Sequence, residues 1–568
     1  MLVHARGGKG KIADVFGTAL SGTSPGRGAG VPVGPRGPGR SRRRSFLGHG
    51  RGARPVAITG GRRGAAPPPR PGVGAVPPSG HGVCPVGTPL SSTVFPSGLP
   101  WLWWETRLPW PVGPEDWSSH VSRSRIVIVG AGFAGYQTAR TLSRKLRGAA
   151  EIVLVNPNDY FLYLPLLPEV SAGLLEARRV SVSLAGTLPK VRLVLGEVHG
   201  VDMDGRTITY TDPEGSERRL DYDRLVLTVG SVNKLLPIPG VAEHAVGFRG
   251  MPEALYLRDH ISRQVALAAN AEDAEECRAR TTFVVVGAGY TGTEVAAHGK
   301  MFTDSLARQH SRSPGGMRAD ARPRWMLLDI ADRVLPGLDE KLARTADRVL
   351  RQRGVEVRTG TSVKEATKDG VLLNTGEFVP TRSLIWCVGV RPDPLVEQLG
   401  LPTEKGRLIV DEYLNVPGHP EVFACGDAAA VPDLTKPGEY TAMTAQHAHR
   451  QGKTAANNIL ASYGVGARRP YKHSDLGFVV DLGGLQAAAN PLGVPLSGPI
   501  ASLVTRGYHL AAMPGNRVRV ATDWLLDAVQ RRQAVQLGVL DAWSVPLDTA
   551  SPETARLPGG GGTAARNR

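Results

Sequence analysis

The segments IVIVGAGFAG (Ile126–Gly135) and FVVVGAGYTG (Phe283–Gly292) decide the fold of this 568-residue chain. In each, an apolar run rich in β-branched residues precedes glycines in a GxGxxG pattern, and a helix-like stretch follows. The first glycine lets the strand-to-helix turn close, the second lets the backbone approach a pyrophosphate, and the third lets the helix pack on the strand. Two such segments predict two dinucleotide sites, and hence redox transfer between a nicotinamide and a flavin. The glycines are Gly130, Gly132 and Gly135 in the first segment and Gly287, Gly289 and Gly292 in the second.

The residue that follows the second strand of each unit distinguishes the two sites. A dinucleotide site carries an acid there, which binds the ribose hydroxyls. In the first unit this residue is Asn156, whose amide can still hydrogen-bond a ribose, with Asp159 close by as a substitute. In the second unit it is Asp329, which lies unusually far from Gly287 because the polar stretch 304–324 is interpreted as a loop insertion. A carboxylate at this position repels a 2′-phosphate, so we expect NADH to be preferred to NADPH.

Residues 1–120 differ in composition from the rest of the chain. They hold 15 Lys and Arg against 4 Asp and Glu, which accounts for most of the net charge of +17. Their Gly- and Pro-rich sequence cannot bury enough apolar surface to offset chain entropy, so we predict a disordered extension. The remainder is only slightly basic, so nucleic-acid binding is not expected. Tryptophans concentrated in 101–117 fit either a membrane interface or translated sequence upstream of a true start near Val121. We favour the second interpretation, because recognisable structure begins only at Arg125.

Targeting and cysteine patterns favour a reducing compartment. Residues 41–47 (SRRRSFL) resemble a twin-arginine signal, but no apolar stretch follows, so export is not expected. The four cysteines form no CxxC pair, which argues against a disulfide framework, a zinc site and a dithiol centre. We therefore expect a cytoplasmic protein with no bound metal.

The order of strands and turns predicts an α/β fold with two Rossmann-like dinucleotide-binding domains, the second inserted in the first. A C-terminal region that associates with a membrane or forms a dimer follows. The predicted divisions are an extension at 1–120, the first part of the FAD domain at 121–245, the NADH domain at 246–380, the second part of the FAD domain at 381–470, an amphipathic region at 471–548 and a disordered tail at 549–568.

Five motifs, in chain order, carry a family resemblance: IVIVGAGFAG, TVGS, FVVVGAGYTGTE, ACGDAA and TAQHAHRQ. The chain resembles the type II NADH dehydrogenases, the non-proton-pumping NADH:quinone oxidoreductases, within the wider group of FAD/NAD(P) oxidoreductases with two dinucleotide domains. The glycine loops and the ACGDAA motif are shared by that whole group, whereas AQHAHRQ is the discriminating segment. The resemblance implies that FAD takes a hydride from NADH and passes two electrons to a membrane quinone.

The resemblance also implies roles for individual residues. Gln446 and Gln451 would lie at the quinone headgroup, and Glu294 near the contact between nicotinamide and flavin. Glu169, in PLLPEV, would lie along the flavin ring, while Gly230, Gly426 and Asp427 would bind the flavin's ribityl and phosphate groups. Two residues depart from the pattern: Asn156 replaces the ribose acid, and His298 stands where the family often has a second acid. His447 is a candidate neighbour of the quinone, whereas His449 is interpreted as solvated or core.

Two amphipathic segments follow, at Pro499–Ala512 and Arg517–Val535. Basic amphipathic helices can lie flat on an anionic membrane, but the same pattern is typical of helices that pack on their own domain or form a dimer. No apolar run reaches the ~18 residues of a membrane span. We expect a peripheral protein at the cytoplasmic face of the membrane, with a homodimer left open.

Two alternative functions remain at this point. A sulfide:quinone oxidoreductase would need two reactive cysteines beside the flavin, for which Cys387 and Cys425 are the candidates. A flavin-bearing interaction protein would respond to NADH with slow turnover.

Overall fold

The computed structural model of the protein describes residues 124–312, 322–473, 476–530, 532 and 534–556. All of them belong to one compact unit, Arg107–Arg568. The predictions made for residues 1–120 and 557–568 lie outside the described residues.

The strands are numbered in chain order: β1 (Arg125–Val129), β2 (Glu151–Asn156), β3 (Tyr160–Leu162), β4 (Ser181–Ser183), β5 (Arg192–Leu195), β6 (Glu197–Asp202), β7 (Thr207–Thr211), β8 (Glu217–Asp221), β9 (Arg224–Leu227), β10 (Ser231–Asn233), β11 (Ala245–Gly247), β12 (Thr282–Val286), β13 (Arg324–Leu328), β14 (Val355–Arg358), β15 (Val363–Thr367), β16 (Gly370–Leu373), β17 (Phe378–Pro380), β18 (Ser383–Trp386), β19 (Val390–Pro392), β20 (Thr403–Glu404), β21 (Arg407–Ile409), β22 (Asn415–Val416), β23 (His419–Ala424), β24 (Ala429–Ala430), β25 (Val479–Asp481), β26 (Ala487–Ala489) and β27 (Leu496–Ser497).

The α-helices are α1 (Phe133–Leu146), α2 (Leu167–Ser171), α3 (Ala177–Val180), α4 (Leu184–Thr187), α5 (Val241–His244), α6 (Met251–Ala269), α7 (Ala274–Thr281), α8 (Tyr290–His310), α9 (Glu340–Gln352), α10 (Leu395–Gln398), α11 (Ala445–Ser462), α12 (Gly498–Ala512) and α13 (Arg517–Val529).

The first large sheet has the order β22-β23-β9-β1-β2-β5 and is parallel except for β22. Its central strands are apolar and buried on both faces, as expected of a parallel sheet covered by helices. Four of its strands come from the first 230 residues, whereas β22 and β23 come from 415–424. The chain therefore leaves this sheet and returns to it.

The second large sheet has the order β11-β18-β12-β13-β14 and is parallel throughout. All of its strands fall between Ala245 and Trp386, in the interval between β9 and β22. One parallel α/β unit is thus inserted in another, and the predicted fold class with two dinucleotide domains is confirmed.

Small antiparallel sheets surround these two units. The sheet β6-β7-β8 follows β5 directly, and β15-β16-β17 leads into β18. The sheet β25-β26-β27 precedes α12, which packs against it. The last sheet brings Asp481, at the end of β25, towards the N-terminal half of α8, because the Asp481 backbone N–H donates to a carboxylate oxygen of Glu294 at 2.9 Å.

The predicted loop at 304–324 is wrong in its first part. Helix α8 continues to His310. The segment 304–310 (DSLARQH) contains no Gly or Pro, and Leu306 is buried, so the helix gains packing by continuing. The helix-breaking residues Pro314 and Gly315 come only later in the sequence, outside the described residues.

The predicted disordered tail at 549–568 is also wrong in its first part. Residues 549–556 follow a defined path, and Pro552 is buried. The Arg556 backbone N–H donates to the carbonyl oxygen of Ser544 at 2.9 Å, and Asn158 Nδ2 donates to the carbonyl oxygen of Glu553 at 2.8 Å. Local composition indicated disorder because the groups that hold this segment lie hundreds of residues away in sequence.

Candidate active site

The two glycine loops have the same backbone geometry. Gly130 and Gly287 lie in the left-handed region, with φ of 92° and 102°, which only glycine adopts without strain. A Cβ at Gly135 would overlap the carbonyl oxygen of Gly130, and one at Gly292 would overlap that of Gly287. The first and third glycines of each loop are therefore required by the turn itself.

The middle glycine of each loop is explained differently from the first and third. No atom lies within 4 Å of a Cβ built at Gly132 or at Gly289. Both residues have extended backbones that any residue adopts, with ψ of −169° and −168°, and each begins a helix. Open space in front of a helix N-terminus, where N–H groups face outwards, fits a pyrophosphate. Both loops thus fit a dinucleotide.

Each loop is held by the residue at the neighbouring strand end. The Ala131 N–H donates to Asn156 Oδ1 at 2.7 Å, and the Ala288 N–H donates to Asp329 Oδ2 at 2.5 Å. The Asn156 amide nitrogen donates in turn to the carbonyl oxygen of Asn158 at 2.8 Å. Asp329 Oδ1 accepts from the Ala331 N–H as well, so each of its two oxygens carries one backbone bond and keeps further accepting capacity, whereas Asn156 has a single accepting oxygen and no charge.

The ACGDAA motif forms a turn at the carboxyl end of β23. Gly426 has a φ of 78°, and Asp427 Oδ2 accepts a hydrogen bond from Ser231 Oγ at 2.7 Å. Arg249 also faces Asp427, with its Nη2 3.9 Å from Oδ2, and it donates to Ser231 Oγ at 3.1 Å. Gly230 has a φ of 82° and leaves open space beside the side chain of Arg249. The turn, the TVGS segment and the first glycine loop therefore share one edge of the first sheet.

Helix α11, which carries AQHAHRQ, is joined directly to this turn. Gln451 is buried, its Oε1 accepts from the Gly426 N–H at 2.8 Å, and its Nε2 donates to Thr441 Oγ1 at 2.9 Å. Gln446 donates to the carbonyl oxygen of Gly477 at 2.7 Å, while its buried Oε1 has no hydrogen-bond partner among the described residues. The two glutamines thus differ: Gln451 positions the turn, and Gln446 presents an unused acceptor.

A buried polar cluster connects the two dinucleotide domains with the C-terminal helices. Glu169, His298 and Asp481 each offer one atom within 4.8 Å of the others. Glu169 Oε2 accepts from Trp524 Nε1 at 2.6 Å, and His298 Nε2 lies 3.7 Å from Asp481 Oδ1. In the part of the chain that the structure describes, neither ring nitrogen of His298 has a hydrogen-bond partner. Glu294 joins the cluster through the Asp481 N–H.

Burial shifts the protonation of this cluster towards neutral forms. Burial, followed by the charge of Asp481, raises the pKa of Glu169 to about 8. Burial also raises the pKa of Glu294 well above its usual range and lowers the pKa of His298 to about 4. Two carboxyl groups can therefore hold protons near neutral pH, and the charges of Arg506 and Arg532 oppose part of this effect at Glu169.

The two candidate cysteines lie in different domains. The Cys387 N–H donates to Val286 of the second sheet, and the Cys425 N–H donates to Leu227 of the first. Burial raises the pKa of both thiols, for Cys425 to about 12. Both cysteines are free, and thiols that hold their protons in this way are poor nucleophiles.

Three residues of the site have no counterpart in the sequence predictions. Arg249 faces Asp427, Asp481 faces His298, and Glu553 lies beside the first glycine-loop unit, where Asn158 Nδ2 donates to its carbonyl oxygen at 2.8 Å. His447, the predicted neighbour of the quinone, has its Nδ1 2.9 Å from Tyr471 Oη. None of the three missed residues belongs to a motif, so only the fold identifies them.

Two nested dinucleotide folds, each with a glycine loop that fits a pyrophosphate, are typical of an oxidoreductase with a flavin domain and a nicotinamide domain. A family model described as "Pyridine nucleotide-disulphide oxidoreductase" matches residues 124–452, more than half of the chain. The chain belongs to this family.

Two curated relatives show which members of this family the chain resembles. The type II NADH:quinone oxidoreductase Ndh of Mycobacterium tuberculosis is 29% identical over 436 residues, which cover 74% of this chain and 91% of the relative. The demethylphylloquinone reductase NdbB of Synechocystis is 29% identical over 71% of this chain and 96% of its own length. These relatives confirm the predicted resemblance to type II NADH dehydrogenases.

Solved structures agree on the fold. The Plasmodium falciparum NDH2 in complex with NADH superposes with a TM-score of 0.67 at 18% identity, covering 72% of this chain and 99% of that chain. The sulfide:quinone oxidoreductase of Aquifex aeolicus gives a TM-score of 0.54 at 18% identity, covering 71% and 92%.

Proposed function

We propose that this protein is an FAD-dependent NADH:quinone oxidoreductase that works without pumping protons; the names of its relatives, an NADH:quinone oxidoreductase and a demethylphylloquinone reductase, support a quinone as the electron acceptor. One observation carries the proposal: the hydrogen bond from the Gly426 N–H to Gln451, which joins the flavin-site turn to the AQHAHRQ helix. A group held at Asp427 and a planar acceptor beside Gln446 would therefore be neighbours.

FAD fits the first site. The open space at Gly132, the loop fixed by Asn156, and the pair of Asp427 and Arg249 would hold its pyrophosphate and ribityl chain. When bound, the flavin supplies the redox chemistry, taking a hydride from NADH and giving two electrons to the quinone. The protein's own contribution is to orient the ring and to keep protons nearby on buried acids.

NADH fits the second site. Asp329 keeps both carboxylate oxygens at the loop, where they would accept from the ribose hydroxyls and repel a 2′-phosphate. Glu294, one turn into α8 and buried, would lie between the nicotinamide and the flavin. Because burial raises its pKa, it would present a neutral acid there.

The quinone would bind at the N-terminal turn of α11. Gln446 is partly buried, and its Oε1, which is buried and without a partner among the described residues, and its remaining amide proton would meet a quinone headgroup. The acid Glu169 holds its proton up to about pH 8, so it would serve as a proton store for a reduced quinone. Asp481 and His298 lie beside Glu169 and would help to keep it protonated.

The C-terminal helices would contact the membrane surface. Part of the predicted apolar stripe faces outwards, since Ile500, Leu503, Leu525 and Val529 are 64–75% exposed, whereas Trp524 of the same stripe is buried. The buried side of α12 is instead Ala501, Ser502, Thr505 and His509. None of the helices in the described part of the chain has an apolar stretch long enough to span a bilayer. An exposed apolar stripe with Arg517 and Arg519 alongside suits an anionic lipid surface.

Vesicle sedimentation tests the membrane contact. The double variant Leu503→Gln plus Leu525→Gln should lose binding to vesicles with anionic lipid. The control, Leu267→Gln plus Phe378→Gln, removes two exposed apolar groups elsewhere, which are 44% and 49% exposed, and should bind like the wild type. If the first pair instead converts a dimer to a monomer in solution and leaves vesicle binding intact, the stripe is a dimer interface.

Steady-state turnover tests the proposed activity. The purified protein with FAD should oxidise NADH only when a soluble quinone is present. A variant with Cys387→Ser and Cys425→Ser should keep this activity, whereas a sulfide:quinone oxidoreductase would lose its turnover with sulfide. Absence of NADH oxidation by a flavin-loaded protein would contradict the proposal.

A further inference from the structure

The C-terminal segment 537–556 runs back across both dinucleotide domains. The N–H groups of Leu537 and Gly538 both donate to Asp259 Oδ2 on α6, at 3.0 and 2.8 Å. Leu547 then inserts into the core of the second domain, where it is 1% exposed. The segment is thus anchored at two places before it reaches the first domain.

Its last turn packs beside the first glycine-loop unit. Asn158 Nδ2 donates to the carbonyl oxygen of Glu553 at 2.8 Å, and Ser551 Oγ donates to Glu197 Oε1. The carbonyl oxygen of Pro552 fills the space at Gly250, where any Cβ would overlap it. Three consecutive residues therefore contact three separate elements of the domain.

Those contacts surround the end of β2. The Asn156 carbonyl oxygen accepts from the Gly196 N–H at 3.0 Å, directly before Glu197, and Asn156 Nδ2 donates to Asn158. Glu553 consequently lies at the strand end where a dinucleotide site has its ribose acid, and where this chain has an amide.

Glu553 has the chemistry of the acid that is missing at this strand end. Asn156 Oδ1 is engaged by the Ala131 N–H, so it is a poor acceptor for two ribose hydroxyls. Within the described residues, no donor bonds to the Glu553 carboxylate, while Asn158 fixes its backbone. Burial raises the pKa of Glu553, and the charge of Arg249 lowers it. An acidic residue whose backbone is held at this strand end and whose carboxyl oxygens have free accepting capacity can bind ribose hydroxyls.

We propose that Glu553 supplies, from the far end of the chain, the carboxylate that binds the adenosine ribose of FAD in place of the missing acid at Asn156. The proposal rests on the assignment of FAD to the first site, and it adds segment 537–556 as a wall of that site.

The test measures FAD and FMN binding to the apoprotein by flavin fluorescence. Losing a charged hydrogen bond should make Glu553→Ala bind FAD about tenfold to a hundredfold more weakly, with a smaller loss for Glu553→Gln. FMN lacks the adenosine, so its dissociation constant should not change. Unchanged FAD binding, or an equal loss for FMN, would overturn the proposal.

Two matched pairs separate this role from general stability. Removal of residues 549–568 should speed FAD release, whereas removal of 557–568 alone should not. Gly250→Ala should displace Pro552 and speed release, whereas Gly507→Ala, at an open helical position, should not. Tighter FAD binding after removal of 549–568 would show that the segment competes with FAD and would overturn the proposal. A protein that binds FAD in this way but fails to reduce quinone would contradict only the proposed function.

Discussion

The two dinucleotide units of this chain have glycine loops with matching backbone angles but different strand ends. Gly130 and Gly287, Gly132 and Gly289, and Gly135 and Gly292 share conformation, packing and open space. Where the second unit has Asp329, the first has Asn156. The loop thus provides a generic pyrophosphate cradle, and the residues around it decide which dinucleotide is held and how tightly.

The comparison of the two units predicts the largest loss of cofactor binding for substitutions at the third glycine of each loop. Gly135→Ala and Gly292→Ala each place a Cβ against a loop carbonyl, and overpacking of this kind costs about 1–3 kcal/mol. Gly135→Ala should abolish FAD retention. Gly292→Ala should retain FAD but weaken NADH binding at least tenfold, roughly 1.4 kcal/mol.

Flavin content after gel filtration and NADH titration measure the two effects. Gly337→Ala, at an open position without a positive φ, is the control. Loss of FAD from the Gly292→Ala variant would show that the two sites do not divide the cofactors as described.

The two domains meet at buried acids, which predicts a pH-dependent stability. The unfolded chain ionises Glu169 near pH 4.5, whereas the folded protein holds this proton up to a pKa of about 8. The unfolded state therefore binds fewer protons between these values, and the Glu169 contribution to the free energy of unfolding falls as pH rises through them.

Glu169→Gln imitates the neutral acid and still accepts from Trp524. Its free energy of unfolding should exceed that of the wild type by a few kcal/mol at pH 9, with the difference vanishing near pH 4. Urea denaturation at both pH values measures this, with exposed Glu365→Gln as the control. A difference that does not change with pH would place Glu169 outside the cluster described.

Exchange of the strand-end residues sharpens the comparison directly. Asp329→Asn makes the second site resemble the first and should raise the ratio of kcat/KM for NADPH over NADH about tenfold or more, because a repelling charge and a charged acceptor are lost. Asn156→Asp should change FAD affinity little if Glu553 already provides the carboxylate. Steady-state kinetics and FAD titration measure these, and an unchanged ratio in Asp329→Asn would assign the selection to another residue.

The smallest effects distinguish the two glutamines of α11. Gln451→Ala removes the acceptor of the Gly426 N–H and should weaken FAD binding about threefold to tenfold, as expected for a neutral hydrogen bond. Gln446→Ala should leave FAD binding unchanged and raise the KM for quinone by a similar factor. The opposite assignment of these two effects would contradict the geometry of α11.

The sequence was sufficient for the elements that depend on local pattern. The apolar runs and glycine spacing predicted β1, β12 and the helices after them, and the strand ends at Asn156 and Asp329 were identified correctly. Long-range contacts were not accessible in this way. Asp481 and Glu553 reach the site from the C-terminal region, and no local signal marks either of them.

The direction of the side chains was the second feature that could not be predicted from the sequence. A spacing of five residues put Gln446 and Gln451 obliquely on a helix, but only the packing of α11 shows that Gln451 is buried against the turn. The apolar stripe of α12 could likewise have faced the domain or the solvent. The structure directs Leu503 outwards because small and polar residues of the same helix pack against β26.

An anaerobic titration tests the central claim that one loop holds a resident flavin and the other an exchangeable nicotinamide. After gel filtration the protein should retain one FAD per chain and no NADH. Addition of one equivalent of NADH should bleach the flavin's visible absorbance, and one equivalent of a soluble quinone should restore it. A flavin that stays oxidised with NADH, or one that is reduced but not reoxidised by quinone, would contradict the account.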